Sequence, residues 1–230
     1  MDNGEYARKV IELAKRVERF TGEGKFHQAI ESAEEIVFLV KKQRGEEHPD
    51  YATSLNNLAM LYHSMGRYEK AEPLYRQVLE IRRKARGEEH PDYAASLHNL
   101  AALYRAMGRY EKAEPLIRQA QEIVRKARGE EHPDYAASLN NLAALYRAMG
   151  QYEKAEPLYR QALEIKRRVL GEEHPDYATS LDSLGLLYHS MGRYEKAEPL
   201  MRQALEIKRR VLGEEHPDYA ASLNNLAALY

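Results

Sequence analysis

The segment GEEHPDY occurs five times, beginning at Gly45, Gly87, Gly129, Gly171 and Gly213, always 42 residues apart. A strict period of this length is the signature of stacked supersecondary units, each too small to bury its own apolar face. It therefore replaces the expectation of one or two globular domains that a 230-residue chain would otherwise raise. Units of this kind add one at a time and share no single central core.

The content of one period shows what the unit is. Gly45 follows a helical pattern and suits the left-handed position just past a helix end, because glycine has no Cβ to clash there. Pro49 suits the first position of the next helix, where its missing N–H costs nothing. His48, preceding that proline, is driven to the extended conformation of an N-cap, and Asp50 puts a negative charge in the positive first turn. GEEHPD is thus a stop-and-start signal between helices.

A first helix is expected from about Pro49 to Met65, with Leu55, Leu58, Ala59 and Tyr62 on one face. Gly66 ends it. A second helix is expected from about Tyr68 to Ala85, with Ala71, Leu74, Tyr75, Val78 and Ile81 inward. Ala59 and Ala71 allow close approach, and the short connection makes the two helices antiparallel. Pro73 and its equivalents Pro115, Pro157 and Pro199 conflict with this pattern, since a proline inside a helix removes a hydrogen bond. A kink near the start of the second helix is the expected result.

The expected organisation is a divergent capping unit at 1–44, full units at 45–86, 87–128, 129–170 and 171–212, and a single-helix half-unit at 213–230. In the capping unit Gly24, Phe26 and Ala29 stand one period before Gly66, Tyr68 and Ala71. Its helices are expected near Glu5–Phe20 and Lys25–Lys42, separated by Thr21-Gly22-Glu23-Gly24. The fold class is all-α, a right-handed α-solenoid of antiparallel helix pairs.

In the third full unit, Leu139, Leu142, Ala143, Tyr146, Gly150, Tyr152, Ala155, Tyr159 and Ala162 resemble the tetratricopeptide pattern in order and spacing. The usual period is about 34 residues, so the second helix here is longer by roughly two turns. LNNLA, GRYEKAEPL, LEI followed by basic residues, and then HPD, are similar to the repeats of kinesin light chain. Comparable arrays also resemble the sensor regions of bacterial signalling ATPases of the NACHT type, although the chain has no G-x-x-x-x-G-K-[ST] segment. The near identity of the units is that of a recent duplication or a consensus-like array.

The resemblance implies that the first helices line a concave surface along which a peptide lies. Beside the packing leucines stand Asn56 and Asn57, His98 and Asn99, Asn140 and Asn141, Asp182 and Ser183, and Asn224 and Asn225. The second member of each pair matches a peptide-contacting asparagine of the family at Asn57, Asn99, Asn141 and Asn225, and departs from it at Ser183. An amide both donates and accepts, so a row of them suits a peptide backbone. The other reading is that these amides satisfy neighbouring helices. His63, Arg105, Arg147 and His189 are expected near the same groove, and arginine favours carboxylates, hence an acidic ligand or a free C-terminus. The alternative is that they sit in water at helix C-termini, favoured by the dipole.

Lys and Arg total 35 against 36 for Asp and Glu, so nothing points to a nucleic-acid partner. The basic runs at Arg82–Lys84, Lys166–Arg168 and Lys208–Arg210 fall at helix C-termini. The EEHPD segments already serve as helix boundaries, so no metal and no cofactor is expected. No nucleophile–base arrangement stands out, which points away from an enzyme. No apolar run spans a bilayer and no signal peptide is visible, so a cytoplasmic protein without a membrane partner is expected.

The predicted function is a non-enzymatic interaction scaffold that binds an extended or partly helical peptide. The alternatives are a self-associating array, or the sensor fragment of a signalling ATPase. The last copy stops at Tyr230, so Leu223, Leu226 and Tyr230 are expected to lie open and to pair, either with a second copy as a homodimer or with a second helix of a longer parent chain.

Overall fold

The computed structural model describes residues 2–229. Among the described residues there are eleven helices and no strand. The chain forms two compact units, Met1–Arg109 and Tyr110–Tyr230. The first holds α1 (Asn3–Gly22), α2 (Phe26–Arg44), α3 (Pro49–Ser64), α4 (Tyr68–Arg86) and α5 (Pro91–Ala106). The second holds α6 (Tyr110–Arg128), α7 (Pro133–Ala148), α8 (Tyr152–Leu170), α9 (Pro175–Ser190), α10 (Tyr194–Leu212) and α11 (Pro217–Ala227). Within each unit every helix packs on the next.

Two glycine devices alternate along the chain. After α3, the Arg67 N–H reaches back to the Tyr62 carbonyl at 2.8 Å and the Gly66 N–H to His63 at 2.9 Å. This double closure needs positive φ at Gly66, which has φ 69°. The same closure ends α1, where Lys25 N–H bonds the Phe20 carbonyl and Gly24 has φ 70°. The helix therefore runs through Gly22, and the turn falls later than expected. Gly45 differs from its expected role. It is itself the C-cap of α2, with φ 88° and ψ 166°, not left-handed helical but in an extended mirror region essentially confined to glycine. That geometry turns the chain outward into EEHPD instead of closing the helix on itself.

At the start of α3, His48 Nδ1 accepts the Asp50 N–H at 3.1 Å, with Pro49 opening the helix. The cap requires the imidazole nitrogen to be unprotonated, and it recurs at His90, His132, His174 and His216. Pro73 does not end α4, which continues to Arg86. The proline lies on the exposed side, where water can take up the freed carbonyl.

Packing follows the apolar faces. Ala59 and Ala71 are fully buried between α3 and α4, with Leu55, Leu58, Tyr75, Val78 and Ile81 around them. Successive pairs are fastened by a repeated strut. Tyr104 donates to Glu72 Oε1 at 2.8 Å, Arg76 Nη2 donates to the Tyr104 oxygen at 2.6 Å, and Arg109 lies 3.4 Å from Glu72. Burial alone would raise the Glu72 carboxyl, but the Tyr104 and Arg76 hydrogen bonds outweigh it and hold the group below its ordinary value. Glu114, Arg118 and Tyr146 repeat the strut, as do Glu156, Arg160 and Tyr188. In the first pair Tyr62 donates directly to Glu34, and burial with that bond pushes its hydroxyl up to about 12.

Candidate functional site

In the first unit the inner faces of α1, α3 and α5 enclose two neighbouring open cavities. One, of about 450 Å³, is lined by Ala14, Val17 and Glu18 of α1, Ile36 of α2, and Asn57 and Met60 of α3. The other, of about 340 Å³, is lined by Met60 and His63 of α3, Tyr68 and Tyr75 of α4, and Asn99 and Ala102 of α5. Met60 stands between them and is 52% exposed, unusual for a large apolar side chain.

Of the residues singled out in this unit, Asn57 is exposed on the first cavity, while His63 and Asn99 face the second. Asn56 is turned sideways, within 3.4 Å of Met60 Sδ, and its Oδ1 accepts from Asn99 Nδ2 at 2.8 Å. The two amides thus form a rung between α3 and α5. The His63 ring stands edge-on to Tyr68 and Tyr75, and burial together with the nearby Arg105 charge lowers its pKa. Arg105 is partly exposed, and its guanidinium has no ion pair or hydrogen bond among the described residues. His98 is half-buried and lines neither cavity. Burial between helices pushes its pKa down to about 4, so it is neutral.

The second unit uses the same positions differently. Asn140 Nδ2 donates to Ser180 at 3.0 Å and Asn141 is exposed. Arg147 Nη1 lies 3.4 Å from Ser190, leaving its Nε buried without a partner among the described residues. His189 packs beside Tyr194, with ring centres 5.5 Å apart. Ser183 bonds back to the Thr179 carbonyl of its own helix.

Asp182 is the clearest departure from the expected polar row. It is 4% exposed and accepts from Lys208 Nζ at 2.8 Å and from Ser222. A charge so placed is spent on holding α9, α10 and α11 together and cannot face an open groove. Lys208, expected as part of a basic run, is likewise 4% exposed. Arg82 turns inward in the first unit to Asp92 O and Ser96, and Lys166 in the second to Asp176 O.

On α11, Asn224 is exposed and Asn225 half-buried. Leu223 is 45% exposed, whereas its counterpart Leu97 is 2% exposed in the first unit and Leu139 and Leu181 are 1%. Leu226 was expected to lie open but is 8% exposed, because α10 already covers it. Tyr230 lies outside the described residues.

The part contributed by α1 was missed from the sequence, although the period contained it. One period before Asn56, Met60 and His63 stand Ala14, Glu18 and Thr21, all three on the larger cavity. Rewriting with small and charged residues hid the correspondence.

The tetratricopeptide repeat model matches the chain at residues 20–84, 54–126, 92–168, 134–210 and 184–230. The chain is a tetratricopeptide repeat protein. Among solved structures, a variant of a putative kinesin light chain from Podosopora anserina with nearly identical TPR-like repeats is 32% identical. The match spans 92% of this repeat protein and 99% of that one, with a TM-score of 0.69. BtubC (BKLC) of P. vanneervenii is 25% identical over 92% of this chain and 94% of that one, with a TM-score of 0.67. A Rap protein complexed with Competence and Sporulation Factor has a TM-score of 0.73 at 18% identity, covering 96% of this chain and 62% of that one, a likeness of fold alone. No curated protein matches this repeat protein by sequence. A kinesin-light-chain-like repeat scaffold of this family is typically a protein-interaction module. No helix among the described residues is long and apolar enough to cross a membrane.

Proposed function

We propose that this protein is a non-enzymatic scaffold that docks a peptide on the inner faces of its first helices. The observation that carries the reading is the pair of open cavities flanking Met60, with Asn57, His63 and Asn99 on their walls. The apolar floor can take ligand side chains, while the amides of Asn57 and Asn99 remain able to bond a main chain. The Asn99 Oδ1 is free for this even when Nδ2 is held by Asn56. Arg105 supplies a cation with no partner of its own among the described residues, which favours a carboxylate on the ligand. In the second unit Asn141 and Asn225 occupy the same register. Arg147 and His189 are already engaged with neighbours and contribute less. The protein is expected to act in the cytoplasm, without nucleic acid, membrane or cofactor.

Selection from an unbiased displayed-peptide library tests this. Enriched peptides should bind the Asn57→Ala, Asn99→Ala double variant more weakly, by about 0.5–1.5 kcal/mol for each backbone bond lost. Undiminished affinity in a well-folded variant would remove the asparagines from the site.

A second reading, self-association, is favoured by the exposure of Leu223 on α11. Pairing of like ends would give a closed two-fold dimer. Membership of a larger signalling ATPase is a third arrangement, in which the same groove would receive the partner.

A further inference from the structure

The larger of the two inner-face cavities, of about 450 Å³, is not uniformly apolar. Its walls are Ala14, Val17, Ile36 and Met60, but Glu18 stands on its lip. Glu18 is exposed and its carboxylate has no ion pair or hydrogen bond among the described residues, although most carboxylates on the second helices are bridged to arginine. Two first helices further on, Arg105 of α5 is similarly unengaged. Between these opposite charges lie Asn57, Met60, His63 and Asn99, none of them charged while the imidazole is neutral. The inner surface of this unit therefore carries a carboxylate at one end, an apolar recess next to it, and a guanidinium at the other end.

Resting on the groove reading above, we infer that the ligand of the first unit is a mixed-charge peptide. A basic residue faces Glu18, a leucine-sized apolar residue beside it enters the larger cavity, and an acidic residue faces Arg105. First helices stacked in this way stand roughly 10 Å apart. Two such steps correspond to about six residues of extended chain, which sets the separation of the basic and acidic residues. The charges act as an address: opposite charges attract at each end, and a ligand with two like charges meets repulsion at one of them. Because both ends are open to solvent, each pair changes affinity modestly, and the selectivity lies in the combination.

The test uses three fluorescein-labelled peptides, each with one leucine, a charged residue next to it and a second charged residue about six positions from the first. One carries Lys near the leucine and Glu far from it, one carries two Lys, and one carries two Glu. Fluorescence anisotropy at low salt reads the affinities for the full chain. The mixed peptide should bind about threefold to fivefold more tightly than either of the others, as expected for one exposed ion pair. Glu18→Lys should shift the preference to the two-Glu peptide, and Arg105→Glu to the two-Lys peptide. Both substitutions are at exposed or partly exposed, unengaged positions, and circular dichroism confirms that the variants fold.

Equal affinities for the three peptides, or a preference that the charge reversals leave unchanged, would overturn the inference. If binding is still weakened in the Asn57→Ala, Asn99→Ala variant, the groove reading stands and the charge address alone falls. If none of the three binds and the displayed library also yields no ligand, both readings fall.

Discussion

His98 shows how one position in a repeat can change chemistry without changing shape. Asparagine stands at the same register in three other copies, as Asn56, Asn140 and Asn224. The imidazole is held among helices where burial pushes its pKa down to about 4, against an ordinary value near 6.5. A depressed value means that the folded state resists taking the proton. His98 thus leaves stability intact above about pH 6.5 and costs stability as pH falls from there toward 4. His98→Asn should flatten that part of the acid-unfolding profile relative to the parent, by up to about 2–3 kcal/mol at pH 4. Urea titrations at pH 7 and pH 4.5 make the comparison, and an unchanged difference between the two pH values would refute it. Asp182 is the opposite case, a charge buried with its counter-charge. Asp182→Ala leaves the Lys208 ammonium buried with only Ser222 as partner, and should cost roughly 3–5 kcal/mol. Asp182→Asn combined with Lys208→Met should cost much less, since no charge is then stranded. The sequence held a signal for this pair, an acid appearing once in the amide row with a lysine 26 residues later. It was obscured because Lys208 also fitted a basic helix C-terminus, and the pattern does not say which way a side chain on a helix edge turns.

At the scale of helices, the sequence was far more legible. Pro49, His48, Gly66 and the alternation of leucine with alanine each have a local physical meaning, and the helix ends fall within a residue or two of their expected places. Gly45 is the informative miss, because positive φ was readable from glycine but ψ, which sets the direction of the exit, was not. The contact between α9 and α10 also breaks the repeat in a way the period alone does not explain. Gly185 replaces the alanine found at 59, 101 and 143, and Met201 stands where Tyr75 and Tyr159 stand. A Cβ on Gly185 would meet Met201 Cγ at 2.7 Å, so the two positions are fitted to each other. Gly185→Ala gains about 1 kcal/mol in helix propensity. Overpacking against Met201 opposes this with about 1–3 kcal/mol. A net loss of stability is expected. Adding Met201→Tyr, which copies the Ala143–Tyr159 pair, should recover it. Thermal unfolding of the two single variants and the double variant measures the coupling; purely additive effects would mean that the positions are independent.

For the molecule as a whole, the exposed side of α11 decides between an isolated array and one that associates. The sequence suggested that Leu223 and Leu226 together formed an open apolar face, but α10 covers Leu226, so the two residues answer different questions. Leu226→Glu would bury a carboxylate and report on folding. Leu223→Lys changes a side chain that is 45% exposed and should leave the helix intact. Leu223 and the exposed Ala220 and Ala227 form a narrow strip, too small to hold a dimer tightly, so association should be weak and dependent on concentration. Sedimentation equilibrium from low to high micromolar protein should show the parent's average mass rising toward that of a dimer, and Leu223→Lys should hold it at 26.6 kDa. A mass that continues past the dimer would indicate end-to-tail stacking in place of two-fold closure. A parent that stays at the monomer mass throughout would sink the self-association reading and leave the inner groove as the surface through which this scaffold acts.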